Sequence, residues 1–186
     1  MISVREYLDQ LQKLLNEIPE TFIQSLVDDL EGCWRDGKRV LLMGNGGSSA
    51  SASHIVNDLQ KCIALESGRA LKAACLSDNT PLLMAWANDT DYNNIFTPQV
   101  EAWAEPGDVV IGISGSGNSA NVLNGIEAAN RIGAITYGMC GYKGGKLASI
   151  VQKSFVVSSE SMQQIEDVHM VVLHIVFVQL RQRLAQ

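Results

Sequence analysis

Met43-Gly-Asn-Gly-Gly-Ser-Ser-Ala-Ser-Ala-Ser-His54-Ile-Val-Asn-Asp58 is the stretch that decides how this chain folds. An apolar strand, Arg39 to Met43, stops at Gly44 and gives way to a glycine turn and then a helix. Gly46 and Gly47 let backbone N–H groups close on a ligand with no side chain in the way. Ser48, Ser49, Ser51 and Ser53 follow, offering hydroxyls and a helix start where the macrodipole favours an anion. The expected occupant is a phosphate. No Gly-Lys-Ser/Thr follows, so this is not a Walker loop and a nucleoside triphosphate is not expected.

Outward from this turn the same pattern recurs. Upstream, Leu8, Leu11, Leu14 and Leu15, and then Ile23, Leu26, Val27, Leu30 and Trp34, have helical spacing, which predicts two helices before the first strand. Downstream, a helix from Ser49 to Cys62 leads to a short strand at Ala73–Leu76, a helix capped by Thr80, and a helix over Asn94 to Ala104. The buried-type strand Val109-Val-Ile-Gly-Ile113 then meets a second glycine turn, Ser114-Gly-Ser-Gly-Asn-Ser119. A helix to Arg131, strands at Ala134–Met139 and Ser154–Val157, and a closing helix from Met162 to Leu184 complete the chain. Strands separated by helices, with unalternated apolar runs, describe an α/β protein: a three-layer α/β/α sandwich on a five-stranded parallel sheet. Ligands bind beyond the carboxyl ends of such strands, so both glycine turns should face one crevice.

The 186 residues suit one domain, 1–186, with no proline- or serine-rich linker to divide it. A net charge of −6 argues against a general nucleic-acid binder. Cys33, Cys62, Cys75 and Cys140 lack metal-type spacing and read as reduced core thiols. The amino terminus is polar, and the longest apolar run, Met170 to Val178, is interrupted by His174 and too short to span a bilayer. The expectation is a cytoplasmic protein without a membrane partner.

His54 and Asp58, four apart, share one helix face just beyond the first turn, where such a pair serves a site or forms a surface or capping contact. On the closing helix Glu166 and His174 are about 80° apart and can reach one point, whereas His169 is turned farther from His174. Among Val171, Val172, Leu173, Ile175 and Val176, His174 is expected to be buried and to need a carboxylate or metal partner, unless it is a satisfied core histidine. Asn88 and Asp89 end a helix and read from the residues alone as turn residues.

Gly44-Asn-Gly-Gly-Ser48, Gly112-Ile-Ser-Gly-Ser-Gly-Asn-Ser119 and Ile165-Glu-Asp-Val-His169 with His174, in this order and with the His54 helix between, resemble the sugar isomerase (SIS) domain. Within it, the chain is similar from end to end to the sedoheptulose 7-phosphate isomerase (phosphoheptose isomerase) family. The resemblance implies an aldose-ketose isomerisation through an enediol, making D-glycero-D-manno-heptose 7-phosphate for surface-polysaccharide or nucleotide-heptose synthesis. It places the phosphate on Ser114, Gly115, Ser116, Asn118 and Ser119, and the sugar near Asn45, Gly46, Gly47, Ser48, Asn88, Asp89 and Glu166. It implies one zinc ion per subunit among His54, Asp58, Glu166 and His174, with Asp58 as base or metal ligand and His174 as the partner acid/base. Three positions depart from the family: Asp58 stands for the usual glutamate, Glu166 for glutamine and Gln164 for arginine. Two histidines with two carboxylates still suit zinc, while making the site more anionic. A homotetramer with shared active sites is implied, residues 1–37 packing in the oligomer. Two other readings stand beside this one. A non-catalytic phosphosugar-binding regulator of the replication-initiator-binding type tends to lose the closing histidine that this chain keeps, and an isomerase or epimerase of another sugar phosphate would fit the departures.

Overall fold

The structure, a computed structural model, describes residues 2–185. Two helices lead, α1 (Val4–Asn16) and α2 (Glu20–Asp36), followed by β1 (Arg39–Gly44) and α3 (Gly46–Asn57). A π-helical turn, Asp58–Cys62, joins α3 without a break to α4 (Ile63–Ser67), and β2 (Lys72–Cys75) follows. After α5 (Thr80–Asp89), a 3₁₀ turn at Tyr92–Asn94 and α6 (Thr97–Trp103) come β3 (Val109–Ser114), α7 (Ala120–Ile132) and β4 (Ile135–Cys140). The short α8 (Leu147–Ile150), β5 (Lys153–Val156) and the long α9 (Met162–Leu184) close the chain.

Among the described residues the strands form one five-stranded sheet, all parallel, in the order β2-β1-β3-β4-β5. Its two faces are covered by different helices. Leu42, Ile111, Ile113, Tyr137 and Met139 meet α2, α3 and α9, whereas Leu41, Met43, Val110 and Cys140 meet α6, α7 and α8. This is the expected sandwich, because unalternated apolar strands can shed water only if both faces are covered. Burying a leucine or isoleucine of this core contributes roughly 1.5–3 kcal/mol.

A polar tie also fixes α2 to the sheet. The Tyr137 hydroxyl donates to Asp29 Oδ2 at 2.6 Å, and Lys153 Nζ reaches the same oxygen at 2.6 Å. Burial and this carboxylate push the Tyr137 phenol well above its ordinary pKa, so it stays a donor. The outer helix α1 is capped by the Ser3/Glu6 pair and has no buried residue, though Leu11, Leu14 and Leu15 lean on the core.

Three boundaries differ from the sequence expectation. The helix after the first turn begins at Gly46 rather than Ser49, because Ser49 N–H already donates to Asn45 O. Asn79, not Thr80, caps α5: its Oδ1 accepts from Leu82 N at 3.2 Å. The helix expected over Asn94 to Ala104 is divided: a 3₁₀ turn ends at Asn94, and α6 starts at Thr97 with Pro98 in its first turn, where no intrahelical N–H is needed.

Sheet order places the two glycine turns side by side. β1 leaves toward β2 and β3 returns on the other flank of β1, so the switch point lies between β1 and β3, with Gly44 paired to Ile113. The second turn is braced from behind: Gly117, at φ +65°, packs so closely on the Gly144 carbonyl that a Cβ would overlap it. Gly117→Ala should therefore lower stability by roughly 3 kcal/mol, from overlap and left-handed strain together. A urea midpoint equal to that of the parent protein would show that the two loops do not touch.

Candidate active site

Both turns present unused donors. Asn45 and Ser119 occupy the caps of α3 and α7, yet neither side chain bonds to its own helix, so the first-turn N–H groups of α3 stay open to a ligand, while in α7 Val122 N–H is taken by Asn121 Oδ1. Asn45 is instead held from the side. Its amide exchanges hydrogen bonds with Asn121, 2.9 Å each way, and its Oδ1 accepts from the Tyr92 hydroxyl at 2.9 Å. Across the crevice Ser114 Oγ and Ser119 Oγ are 3.0 Å apart. Asn45, Gly46, Gly47, Ser48, Ser114, Gly115, Ser116 and Ser119 enclose a cavity of about 300 Å³, closed at one side by Met162 and Glu166 of α9. The Glu166 carboxylate lies directly over Gly47, where a Cβ would displace it.

Farther along α3 and α9, His54, Asp58 and His174 converge, with one ligand atom of each within 4.8 Å of the others. The two histidine Nε2 atoms are 3.0 Å apart, and His54 Nε2 is 3.7 Å from Asp58 Oδ2. Lone pairs so close repel unless a proton or a cation lies between them. Two imidazoles and a carboxylate are donors that first-row divalent metals accept, so the residues present fit a metal ion. Asp58 opens the π-helical turn, and its Oδ1 accepts from Asn57 Nδ2 at 3.2 Å, leaving Oδ2 on the histidine side. One extra residue in that turn alters the direction in which the short aspartate projects.

Several expected site residues stand elsewhere. The trio does not include Glu166: eight residues along a helix is about 12 Å, and its carboxylate lies over Gly47 at the glycine loops. His174 is exposed, not buried as its apolar neighbours suggested. The buried histidine is His169, whose Nε2–H donates to the Cys140 carbonyl at 2.9 Å. Asn88 and Asp89 are exposed at the end of α5, where Asn88 Nδ2 donates to Asp89 Oδ1 at 2.9 Å, and they do not line the cavity. Asn118 braces loops: its Nδ2 donates to Ser116 O and its Oδ1 accepts from Lys146 N. Gln164 is buried, accepting from Ser159 Oγ and donating to Gln10 of α1. Three of the cysteines are buried; burial pushes the Cys33 and Cys140 thiols up to about 12 and Cys75 up to about 11. Asn121 and Tyr92, which hold Asn45, escaped the sequence reading. A polar residue two places after Ser119 in a helix start was the available sign for Asn121, and Tyr92 had none.

Two open glycine–serine helix starts at a sheet's switch point, beside a histidine–carboxylate trio, define a parallel α/β domain that holds a small phosphorylated molecule. Residues 6–141 match the model of the SIS domain family, and the chain belongs to that family, among the phosphoheptose isomerases. The phosphoheptose isomerase of Aquifex aeolicus is 39% identical, over 90% of this chain and 93% of its own length. That of Geotalea daltonii is 36% identical over 98% and 96%. The structure of phosphoheptose isomerase from Neisseria gonorrhoeae superposes with a TM-score of 0.85 at 27% identity, covering 93% of this chain and 92% of that one.

His169 gives the protein a definite acid response. Burial drives its pKa down from 6.5 to about 4, against the opposing pull of the Cys140 carbonyl. The unfolded chain takes up this proton below about 6.5 and the folded chain only below about 4, so stability falls as pH drops through that window. The loss should total about 3 kcal/mol. Urea unfolding at pH 7 and pH 5 should show a shallower decline in His169→Gln than in the parent protein; equal slopes would exonerate His169.

Proposed function

We propose that the chain, like the relatives named phosphoheptose isomerase, isomerises a heptose phosphate, and that its reaction interconverts sedoheptulose 7-phosphate and D-glycero-D-manno-heptose 7-phosphate for heptose synthesis. The observation that carries this reading is the convergence of His54, Asp58 and His174 alongside a two-loop anion cavity. Non-catalytic phosphate binding has no use for such a trio.

The phosphate is assigned to Ser114, Ser116, Ser119 and the N–H groups of the second loop, as helix starts favour an anion. The sugar then runs past Ser48, Asn45 and Glu166 toward the trio, with Glu166 accepting from sugar hydroxyls. Asp58 takes a proton from C1 of the ketose as His174 gives one to the C2 oxygen, which leaves the enediol. The same carboxylate returns the proton at C2 while His174 removes the hydroxyl proton at O1, giving the aldehyde. His54, Asp58 and His174 would hold a metal, with zinc the ion suited to this donor set. Such an ion, when bound, supplies Lewis acidity to the sugar oxygens.

The direct test is turnover of sedoheptulose 7-phosphate by metal-reconstituted protein, with product analysis for the aldoheptose phosphate. His174→Ala should abolish it. Asp58→Asn, which keeps an oxygen ligand but not a base, should lower kcat by about 10²-fold or more with metal content retained. Absence of turnover with phosphosugar binding intact would instead support a binding protein.

A homotetramer is part of the proposal, supported by the apolar surface that α1 and α9 leave open: Val4 is 80% and Leu8 52% exposed, and Val171, Ile175 and Val178 border His174. Removing the residues before Pro19 should dissociate the assembly and abolish turnover. An active monomer in sedimentation velocity would refute that role for α1.

A further inference from the structure

We infer that Lys143 supplies the counter-charge for the substrate phosphate and so sets affinity and selectivity for phosphorylated sugars. This rests on assigning the phosphate to the second glycine loop. That loop has a charge problem: its cavity is lined by hydroxyls, backbone, the Asn45 amide, Ile113, Met162 and one carboxylate, Glu166, without a cation, in a chain of net charge −6. A phosphate monoester dianion entering there meets donors but no full positive charge.

A second cavity of about 400 Å³ adjoins the first at Ser116, lined also by Asn118, Tyr142, Lys143, Ser158, Ser159 and Glu160. Lys143 is the cation of this lining. It makes none of the ion pairs found among the described residues, including with Glu160 beside it. Its backbone is fixed against the phosphate loop. Gly141 N donates to Gly115 O at 2.8 Å, and Leu147 N to Gly117 O at 2.9 Å. A Cβ on Gly145 would lie 2.5 Å from Gly117 O. Tyr142, at φ +51°, is the one non-glycine residue of positive φ among those described, and its N–H donates to Ser159 O at 3.0 Å. A loop held this firmly presents an exposed, uncommitted ammonium on a flexible stem beside Ser116, where it can close on an arriving anion.

Lys143→Ala should raise both the KM for sedoheptulose 7-phosphate and the dissociation constant of inorganic phosphate, read by phosphorus NMR titration, by about tenfold, with a far smaller change in kcat. Lys143→Arg should restore most of the affinity, and the salt dependence of phosphate binding should flatten in Lys143→Ala. Two controls separate the possibilities. Lys146→Ala removes a charge from the same loop at a position lining neither cavity, and an equal loss there would overturn a specific role for Lys143. Ser116→Ala tests the phosphate site: if it weakens phosphate binding while Lys143→Ala does not, the inference fails and the loop assignment stands. If neither variant changes phosphate binding, the loop assignment fails and the inference falls with it.

Discussion

The parallel pairing of β1 with β3 is the constraint from which the rest of the molecule follows. Because both strands point the same way and lie in register, Gly44 opposite Ile113, the two chain reversals beyond them open on the same side. A crevice between such neighbours is inevitable once the connections leave in opposite directions, β1 to β2 and β3 to β4. Everything polar at the site is then a matter of what fills it. The glycines make room for backbone donors, the serines supply hydroxyls, and Asn121 and Tyr92 keep the Asn45 amide from collapsing onto its own helix.

α9 completes the arrangement along its length. Near its start, Met162 and Glu166 wall the anion cavity, and two turns later His174 meets the α3 face that carries His54 and Asp58. Between them, His169 turns inward and is satisfied by the Cys140 carbonyl. One helix therefore supplies the wall of the cavity, a buried structural histidine and the histidine of the trio.

The strands and the sandwich were legible in the sequence because runs such as Val109-Val-Ile-Gly-Ile113 admit few other burials, and glycine turns mark where they stop. The roles of the α9 histidines were not. This helix is apolar on nearly every side between Val168 and Phe177, so periodicity cannot tell which histidine faces the core; only its packing against α2 and α3 decides. The trio of His54, Asp58 and His174 was readable from spacing and family likeness, but the place of Glu166 over Gly47 depends on how closely α9 approaches the first loop, a tertiary quantity. The π-helical turn was equally hidden, since Asp58-Leu-Gln-Lys-Cys62 would serve an ordinary helix as well.

That turn works as a phase shifter. An additional residue held inside a continuous helix rotates all that follows by about 100° without unwinding it. Leu59 and Ile63 both reach the core across this offset, while Asp58 at its start is half-buried and turned toward His54. Deleting a single residue there would force a choice between the carboxylate's aim and the burial of Ile63. The length of this segment is thus coupled to the geometry of the trio, and a frame of this kind can drift in sequence far more easily than in residue number.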